Sequence, residues 1–355
     1  MTADAAENLI GLKLDGGWRV LEKLEPGPYA TGGTFCTGYL VESDEGRRGF
    51  CKALNLARAL SSPDPAKLLE QLTKAYNFEC DILNKCAEAR MSRVVLAIDQ
   101  GVVDVPGFTF PRVNYIIFEQ AGGDIRAALN AAAQVDVAAR LRCLHHVATG
   151  LQQLHRQQIA HQDLKPSNVL VFGGQGSEPA DVSKVSDLGR ATDKAIPAAH
   201  DEFPIAGDPS YAPPEQMYGF VPADFGPRRL GCDLHQLGSF TAFLFTGASI
   251  NALLHQELHP MHSWRNWGGT YDEVLPYLQD AFGRVLARIA EDIPAPIRGE
   301  IIEMIRYLCD PDPDRRGHPE SRRQISGNPY DLGRVVTRFD LLTRRAEIDL
   351  RRGVR

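Results

Sequence analysis

His161-Gln-Asp-Leu-Lys-Pro-Ser-Asn168 is the stretch on which the reading of this chain turns. Asp163 supplies a carboxylate, Lys165 a cation two positions on, and Asn168 an amide oxygen three positions further. Moving a phosphoryl group onto a hydroxyl calls for that set. It needs an acid group to accept or orient the proton, a positive charge against the transferring oxygens, and an oxygen ligand for a metal ion. A polar turn after a helix is the plainer alternative, and the surroundings decide between the two.

Immediately before the run, Leu141, Leu144, Ala148, Leu151 and Leu154 recur at spacings of three and four, which predicts a helix with one apolar face. Immediately after it, short strands are expected around Val169-Leu-Val-Phe and Lys184-Val-Ser, and helices from there to the end. Upstream the texture differs. Trp18 to about Leu54 reads as strands broken by the turn-rich stretch Pro26 to Gly33. Lys67 to Lys85 reads as a helix, and Val94-Val-Leu-Ala and Tyr115-Ile-Ile-Phe read as two more strands. Strands first and helices after is an α+β pattern of two segregated layers. The change falls near Ala121-Gly122-Gly123. Three stretches rich in Gly, Pro or small polar residues read as long loops: Ala30 to Gly33, Gly173 to Val182, and Gly219 to Arg229.

Composition bounds the rest. A chain of 355 residues accommodates about one to three domains. Its net charge of −6 argues against nucleic acid as the main partner. No apolar run reaches the ~18 residues that span a bilayer, so no membrane partner is expected. Met1 to Leu9 carries Asp4 and Glu7 and no basic segment, unlike a secretory signal. The seven cysteines are scattered without a C-x-x-C pair, which fits reduced thiols in a cytoplasmic protein better than disulfides or zinc.

With this frame the motifs fall into the order of the protein kinase superfamily, which the chain resembles over about 300 residues. The nearest likeness is to soluble bacterial serine/threonine kinases. His161, Asp163, Leu164, Lys165, Pro166 and Asn168 match the family's catalytic loop. The resemblance implies a two-lobed protein-kinase-like fold, with a small β-rich N-lobe and a larger helical C-lobe. It also implies transfer of the γ-phosphate of ATP, with Mg²⁺, to serine or threonine hydroxyls of a protein substrate. Asp163 and Lys165 would be catalytic. Asp187, in Asp187-Leu-Gly189, and Asn168 would hold the metal. Lys52 would grip the α- and β-phosphates, paired with Glu79 on the following helix; Glu70 competes for that pairing. The backbone of Glu119 and Ala121 would hold the adenine edge, with Phe118 as gatekeeper. Asp233 would anchor the catalytic loop, Glu215 would pair with Arg316, and His155 would be structural. The lobes would cover 17–120 and 121–325, with an extension over 1–16. A helix over 326–355 would pack on the C-lobe by Leu332, Val335, Val336, Phe339, Leu342, Ala346 and Leu350, or else meet a partner or a second copy.

The chain departs from the family at defined places. Over Thr31 to Tyr39 only Gly33 of three loop glycines is kept, and Gly38 stands where a valine usually packs on the adenine. Gln162 replaces the arginine beside the catalytic aspartate, and Asp208 replaces a threonine. A neutral Gln162 gives no charged grip on a phosphate, so activity is expected not to depend on phosphorylation between Asp187 and Glu215. A pseudokinase or nucleotide-binding scaffold of the same fold is the alternative, supported by the altered glycine loop. Lys165-Pro166 and Pro214-Glu215 speak against a small-molecule kinase.

Overall fold

The computed structural model describes residues 4–25, 35–131, 136–173 and 182–352. The expected loop Ala30 to Gly33, and Gly33 with it, lies outside them, as does 174–181 of the second loop.

The strands β1 (Trp18–Leu24), β2 (Cys36–Ser43), β3 (Arg48–Leu54), β4 (Ala97–Asp104) and β5 (Arg112–Glu119) form an antiparallel sheet in the order β1-β2-β3-β5-β4. Its two faces follow from the two-residue repeat of a strand. Tyr39, Cys51 and Ile117 lie opposite one another and point outward; Gly38, Lys52 and Ile116 lie opposite one another and point inward. The outward face is covered by the chain's own start: Ala5, Ala6, Leu9 and Leu14 join Trp18, Val20, Tyr39, Cys51, Tyr115 and Ile117 in one apolar cluster. The Tyr39 hydroxyl donates to the Ala6 carbonyl at 2.7 Å. Val94 makes a single bridge to Val185, and the strand expected there begins only at Ala97.

Helix α1 (Pro65–Glu88) crosses the inward side. Asp64 caps it by accepting from the Lys67 amide, and Pro65 occupies its first turn. Its inner stripe of Phe78, Glu79, Ile82, Leu83 and Cys86 enters a second, larger core. A short strand β6 (Gly123–Asp124) and helix α2 (Ile125–Ala131) make the passage into the helical region. There α3 (Val137–Arg156) leads through β7 (Ile159–Ala160) to the paired strands β8 (Val169–Phe172) and β9 (Val182–Val185), then β10 (Thr192–Asp193) and α4 (Pro214–Met217). The helices α5 (Gly231–Thr246), α6 (Ile250–Glu257), α7 (Tyr271–Asp292), α8 (Ala295–Leu308), α9 (Pro319–Arg322) and α10 (Gly333–Arg351) complete the region. The third expected loop ends in a π-helical turn, Gly226–Leu230, that runs straight into α5.

Helix α10 lies on α3. Val335, Phe339 and Leu342 are buried in the larger core, and Arg142 reaches Glu347 at 2.6 Å. Leu350, read as part of the apolar stripe, is 53% exposed. On α3, His146 accepts the Ser183 amide, and burial pushes its imidazole down to about 3. It is a core histidine. Among the described residues no single helix is long and apolar enough to cross a membrane.

One buried ion pair ties the helical region together. Arg316 meets both oxygens of Glu215 at 2.7 and 2.8 Å and also donates to the carbonyls of Asp310 and Gly231. Neither side chain is more than 1% exposed. Glu215→Leu leaves the guanidinium buried without its carboxylate. The expected loss is about 3–5 kcal/mol of unfolding free energy, read from urea unfolding followed by circular dichroism.

Candidate active site

The site begins with a carboxylate far from any surface. Asp233, in the first turn of α5, is fully buried, so its charge has to be met by donors. It accepts the backbone amides of His161 at 2.7 Å and Gln162 at 2.8 Å, the ring of His155 at 2.9 Å and the Gln162 side chain at 3.1 Å. One turn on, Gln236 accepts the Leu164 amide and donates to the Gln162 carbonyl. Holding both amides on one carboxylate puts Gln162 at φ +66°, a left-handed conformation that side chains adopt at a cost of about 1–3 kcal/mol. The loop is thereby bent so that Asp163 faces the cleft.

Asp163 is held from three directions. The Asn168 amide donates to its Oδ2 at 3.0 Å and to its carbonyl at 2.8 Å. The Asp208 backbone amide donates to its Oδ1 at 2.8 Å, and Lys165 lies 3.1 Å away. Burial raises its carboxyl above the usual range, and the nearby Lys165 charge only partly offsets this. Asp208 gains a definite part here: its carboxylate stands 3.5 Å from Lys165, so the ammonium sits between two acids. Gly207 is needed beside it, because a Cβ there would stand 2.3 Å from the Gln162 carbonyl and 2.7 Å from Asp163 Oδ1.

Across the cleft, Lys52 on β3 donates to both Glu79 oxygens at 2.7 and 2.9 Å and lies 3.9 Å from Asp187. Burial alone would push its ammonium down; Glu79 and Asp187 outweigh that and hold it charged. Glu70, the competing partner, pairs instead with Lys74 on the exposed side of α1. Asp187 has φ +62°, the second left-handed side chain of the site. Loss of hydration works to raise its carboxyl, but the charges of Lys52 and, after it, Lys165 overcome this and hold it below the ordinary value. His161 links the two segments: its Nδ1 accepts the Asp163 amide and its Nε2 donates to the Ser186 carbonyl.

A hard cation wants oxygen ligands. Asp187 opens onto the cleft with 41% of its side chain exposed, and the Asn168 oxygen has only a 3.4 Å contact from the Ser167 hydroxyl. The pair fits a magnesium ion that takes its remaining ligands from phosphate and water. Among the described residues no group of three or more His, Cys, Asp or Glu side chains could hold a metal alone. At the far end of the cleft the Glu119 side chain pairs with Lys184 at 2.5 Å, and Ala121 follows two residues on.

Sequence reasoning missed Arg229. The π-helical turn aims it inward, where it is 4% exposed. It donates to the Gln162 side-chain oxygen at 3.3 Å and to the Asp201 carbonyl at 2.8 Å, with the Asp201 carboxylate at 3.4 Å. Arg228 donates to the same carbonyl. The cation absent at position 162 thus arrives from a different element and clasps the segment between Asp187 and Glu215. The signal available in the sequence was the Pro-Arg-Arg run at 227–229 directly before an apolar helix.

A two-lobed fold with a lysine–glutamate pair above and this acid–lysine–asparagine loop below is the protein-kinase class of architecture. The chain belongs to the protein kinase family: the family's protein kinase domain matches residues 33–326. Individual relatives are distant. A probable serine/threonine-protein kinase of Corynebacterium efficiens is 30% identical over 149 residues, 41% of this chain and 21% of the relative. The serine/threonine-protein kinase SBK1 of Danio rerio is 26% identical over 32% of this chain and 28% of its own length. The serine/threonine-protein kinase atg1 of Dictyostelium discoideum is 27% identical over 48% and 24%. The matched stretches thus cover little more than a quarter of these relatives at most.

Because Arg229 already fills the space beside position 162, restoring the family's arginine there is expected to do harm. Gln162→Arg sets two guanidinium groups against each other and removes the oxygen that Arg229 meets. The expected cost is about 1–3 kcal/mol, seen as a lowered unfolding midpoint; Gln162→Glu is no milder, because it sets a carboxylate where the amide now donates to Asp233 and to the Arg229 carbonyl.

Proposed function

We propose that the chain is an active serine/threonine protein kinase that transfers the γ-phosphate of Mg-ATP to a protein hydroxyl. The observation that carries this is the closed Lys52–Glu79 pair, with Asp187 beside it at 3.9 Å, in the same molecule as an Asp163 already oriented by Asn168, Lys165 and Asp208. No conformational step is left to assemble these groups. The serine/threonine names of the relatives and Lys165 support the choice of acceptor.

In this reading Lys52 binds phosphate oxygens and Glu79 keeps its ammonium in place. Asn168 and Asp187 hold the magnesium, which when bound spreads the negative charge of the phosphates. The acceptor hydroxyl lies against Asp163, whose carboxylate takes its proton as the new P–O bond forms and the bond to the β-phosphate oxygen breaks. Lys165 meets the charge on the transferring oxygens. A raised Asp163 carboxyl is a better base near neutrality than an ordinary aspartate.

The sign of its pH dependence follows. With the folded value above the unfolded one, the protonated form suits the fold, and stability declines as pH rises from the unfolded value through the folded one. Asp163→Asn removes that penalty at neutral pH. The expected outcome is turnover lowered about 10²–10⁴-fold at equal or higher thermal stability, with the wild-type rate falling on acidification at a pH above the usual aspartate range. Labelled Mg-ATP with a generic acceptor, and mass spectrometry of the phosphorylated residue, is the test. Unchanged transfer by Asp163→Asn, or a product that is mainly phosphotyrosine, would contradict the reading.

The Arg229–Asp201 clasp supports a further part of it: Arg228 and Arg229 hold the segment by the Asp201 carbonyl, with the Asp201 carboxylate at 3.4 Å, and no phosphate is required. Phosphatase treatment, checked by mass spectrometry, is expected to change the initial rate less than about tenfold, while Arg229→Ala, which removes a charged donor worth about 1.5–3 kcal/mol from the Asp201 carbonyl, lowers it in untreated and treated enzyme alike.

A further inference from the structure

Helix α10 has two faces of different chemistry. Val335, Phe339 and Leu342 are buried in the larger core. On the opposite side Arg334, Arg338, Leu341, Arg345, Ile348 and Arg352 follow one another at spacings of four, three, four, three and four. That is the heptad repeat, which keeps side chains on one stripe that a neighbouring helix can meet along its length. All six are exposed, and Leu341 and Ile348, seven residues apart, are 51% and 46% exposed. Arg345 pairs with Glu300 on α8 at 2.9 Å. Among the described residues Arg334, Arg338 and Arg352 make no ion pair. The stripe itself carries no carboxylate, in a chain whose net charge is −6.

We propose that the outer face of α10 is a docking surface for an acidic amphipathic helix of a partner protein. Apolar residues of that helix meet Leu341 and Ile348, and its carboxylates meet the arginines around them. The inference is independent of the kinase reading above. The stripe runs from position 334 to 352, ~27 Å at 1.5 Å per residue, room for about five turns of a partner helix. Its polar members are all arginine, whose planar fork pairs with both oxygens of a carboxylate. A second copy of the chain does not fit. With the two stripes antiparallel, Arg334 meets Arg352, and Arg338 and Arg345 meet Ile348 and Leu341; with them parallel, arginine meets arginine. No carboxylate answers the charge in either case. A lipid surface fits less well than a helix, because the stripe offers two apolar residues and no aromatic one, whereas a helix lying in a bilayer buries a whole apolar face. A row of nucleic-acid phosphates has nothing to set against Leu341 and Ile348.

The test uses the full chain and a labelled synthetic helical peptide of about three heptads, with leucine and glutamate alternating along one stripe, read by fluorescence anisotropy. A second peptide carries glutamine for every glutamate. Wild type is expected to bind the glutamate peptide and to bind the glutamine peptide much more weakly. Replacing Arg334, Arg338 and Arg352 together by Gln is expected to weaken binding about 3- to 140-fold, which is ~0.2–1 kcal/mol for each of three exposed pairs at 1.4 kcal/mol per tenfold. Leu341→Ser with Ile348→Ser should weaken it at least about tenfold. Circular dichroism should match wild type for both, since all five side chains are exposed; Arg338→Gln and Leu341→Ser singly serve if a combined variant does not fold. Wild type that fails to bind the glutamate peptide, binds both peptides equally, or binds as tightly after these substitutions would overturn the proposal. Binding to phosphatidylserine vesicles that the same variants lose would overturn it in favour of a lipid surface. A dimer in analytical ultracentrifugation that the same variants dissolve would overturn it in favour of a second copy.

Discussion

A charge with no access to water governs the geometry of this molecule. Asp233 sits at the start of α5, and everything that approaches it does so to donate a hydrogen bond: two consecutive backbone amides, a histidine ring and a glutamine side chain. The conformation of the 161–168 loop is therefore set from behind, by a carboxylate that touches none of the reacting groups proposed here. The left-handed Gln162 is the price of bringing two neighbouring amides to one acceptor. The direction in which Asp163 points follows from it.

The sheet and the helical region are joined by charge in the same manner. Lys52 bridges to α1 through Glu79 and approaches Asp187 on the far side of the cleft. Lys85, near the other end of α1, reaches the buried Asp193 on β10 at 2.5 Å and the Gln157 carbonyl after α3 at 3.0 Å. Phe78, next to Glu79, meets the ring of His200 edge-on. The C-terminal half of α1 is thus fastened to the segment that follows Asp187, and Arg229 fastens that segment again at Asp201.

Much of this could be read from the chain because it is local. The stripe from Leu141 to Leu154, the alternation in β1 to β3, and the 161–168 run with its invariant-type spacings each announce an element within a few residues. The pairing of Glu79 over Glu70 was legible too, since Glu79 lies in the apolar stripe of α1 and Glu70 does not. What escaped depends on long-range geometry. Nothing in a neutral Gln162 tells that a cation 67 positions later will lie beside it, because the π-helical turn that delivers Arg229 has no simple periodic signature. The role of Asp208 required knowing where Lys165 ends. The burial of Ala5, Ala6 and Leu9 was illegible because a short apolar start becomes core only when a sheet face lies uncovered nearby.

The bond between Lys85 and Asp193 carries a consequence for motion. The Asp193 side chain has no solvent exposure, and it already serves the amides of Ala195 and Ile196. Rotating α1 outward would withdraw the ammonium from a buried carboxylate, a penalty of about 3–5 kcal/mol, or a population of the rotated form on the order of one molecule in 140 to one in 4,000. The resting ensemble is then almost entirely one conformer. Restraint of such a molecule has to come from something that occupies the cleft or covers its mouth, because no dormant conformer is populated enough for a ligand to capture cheaply.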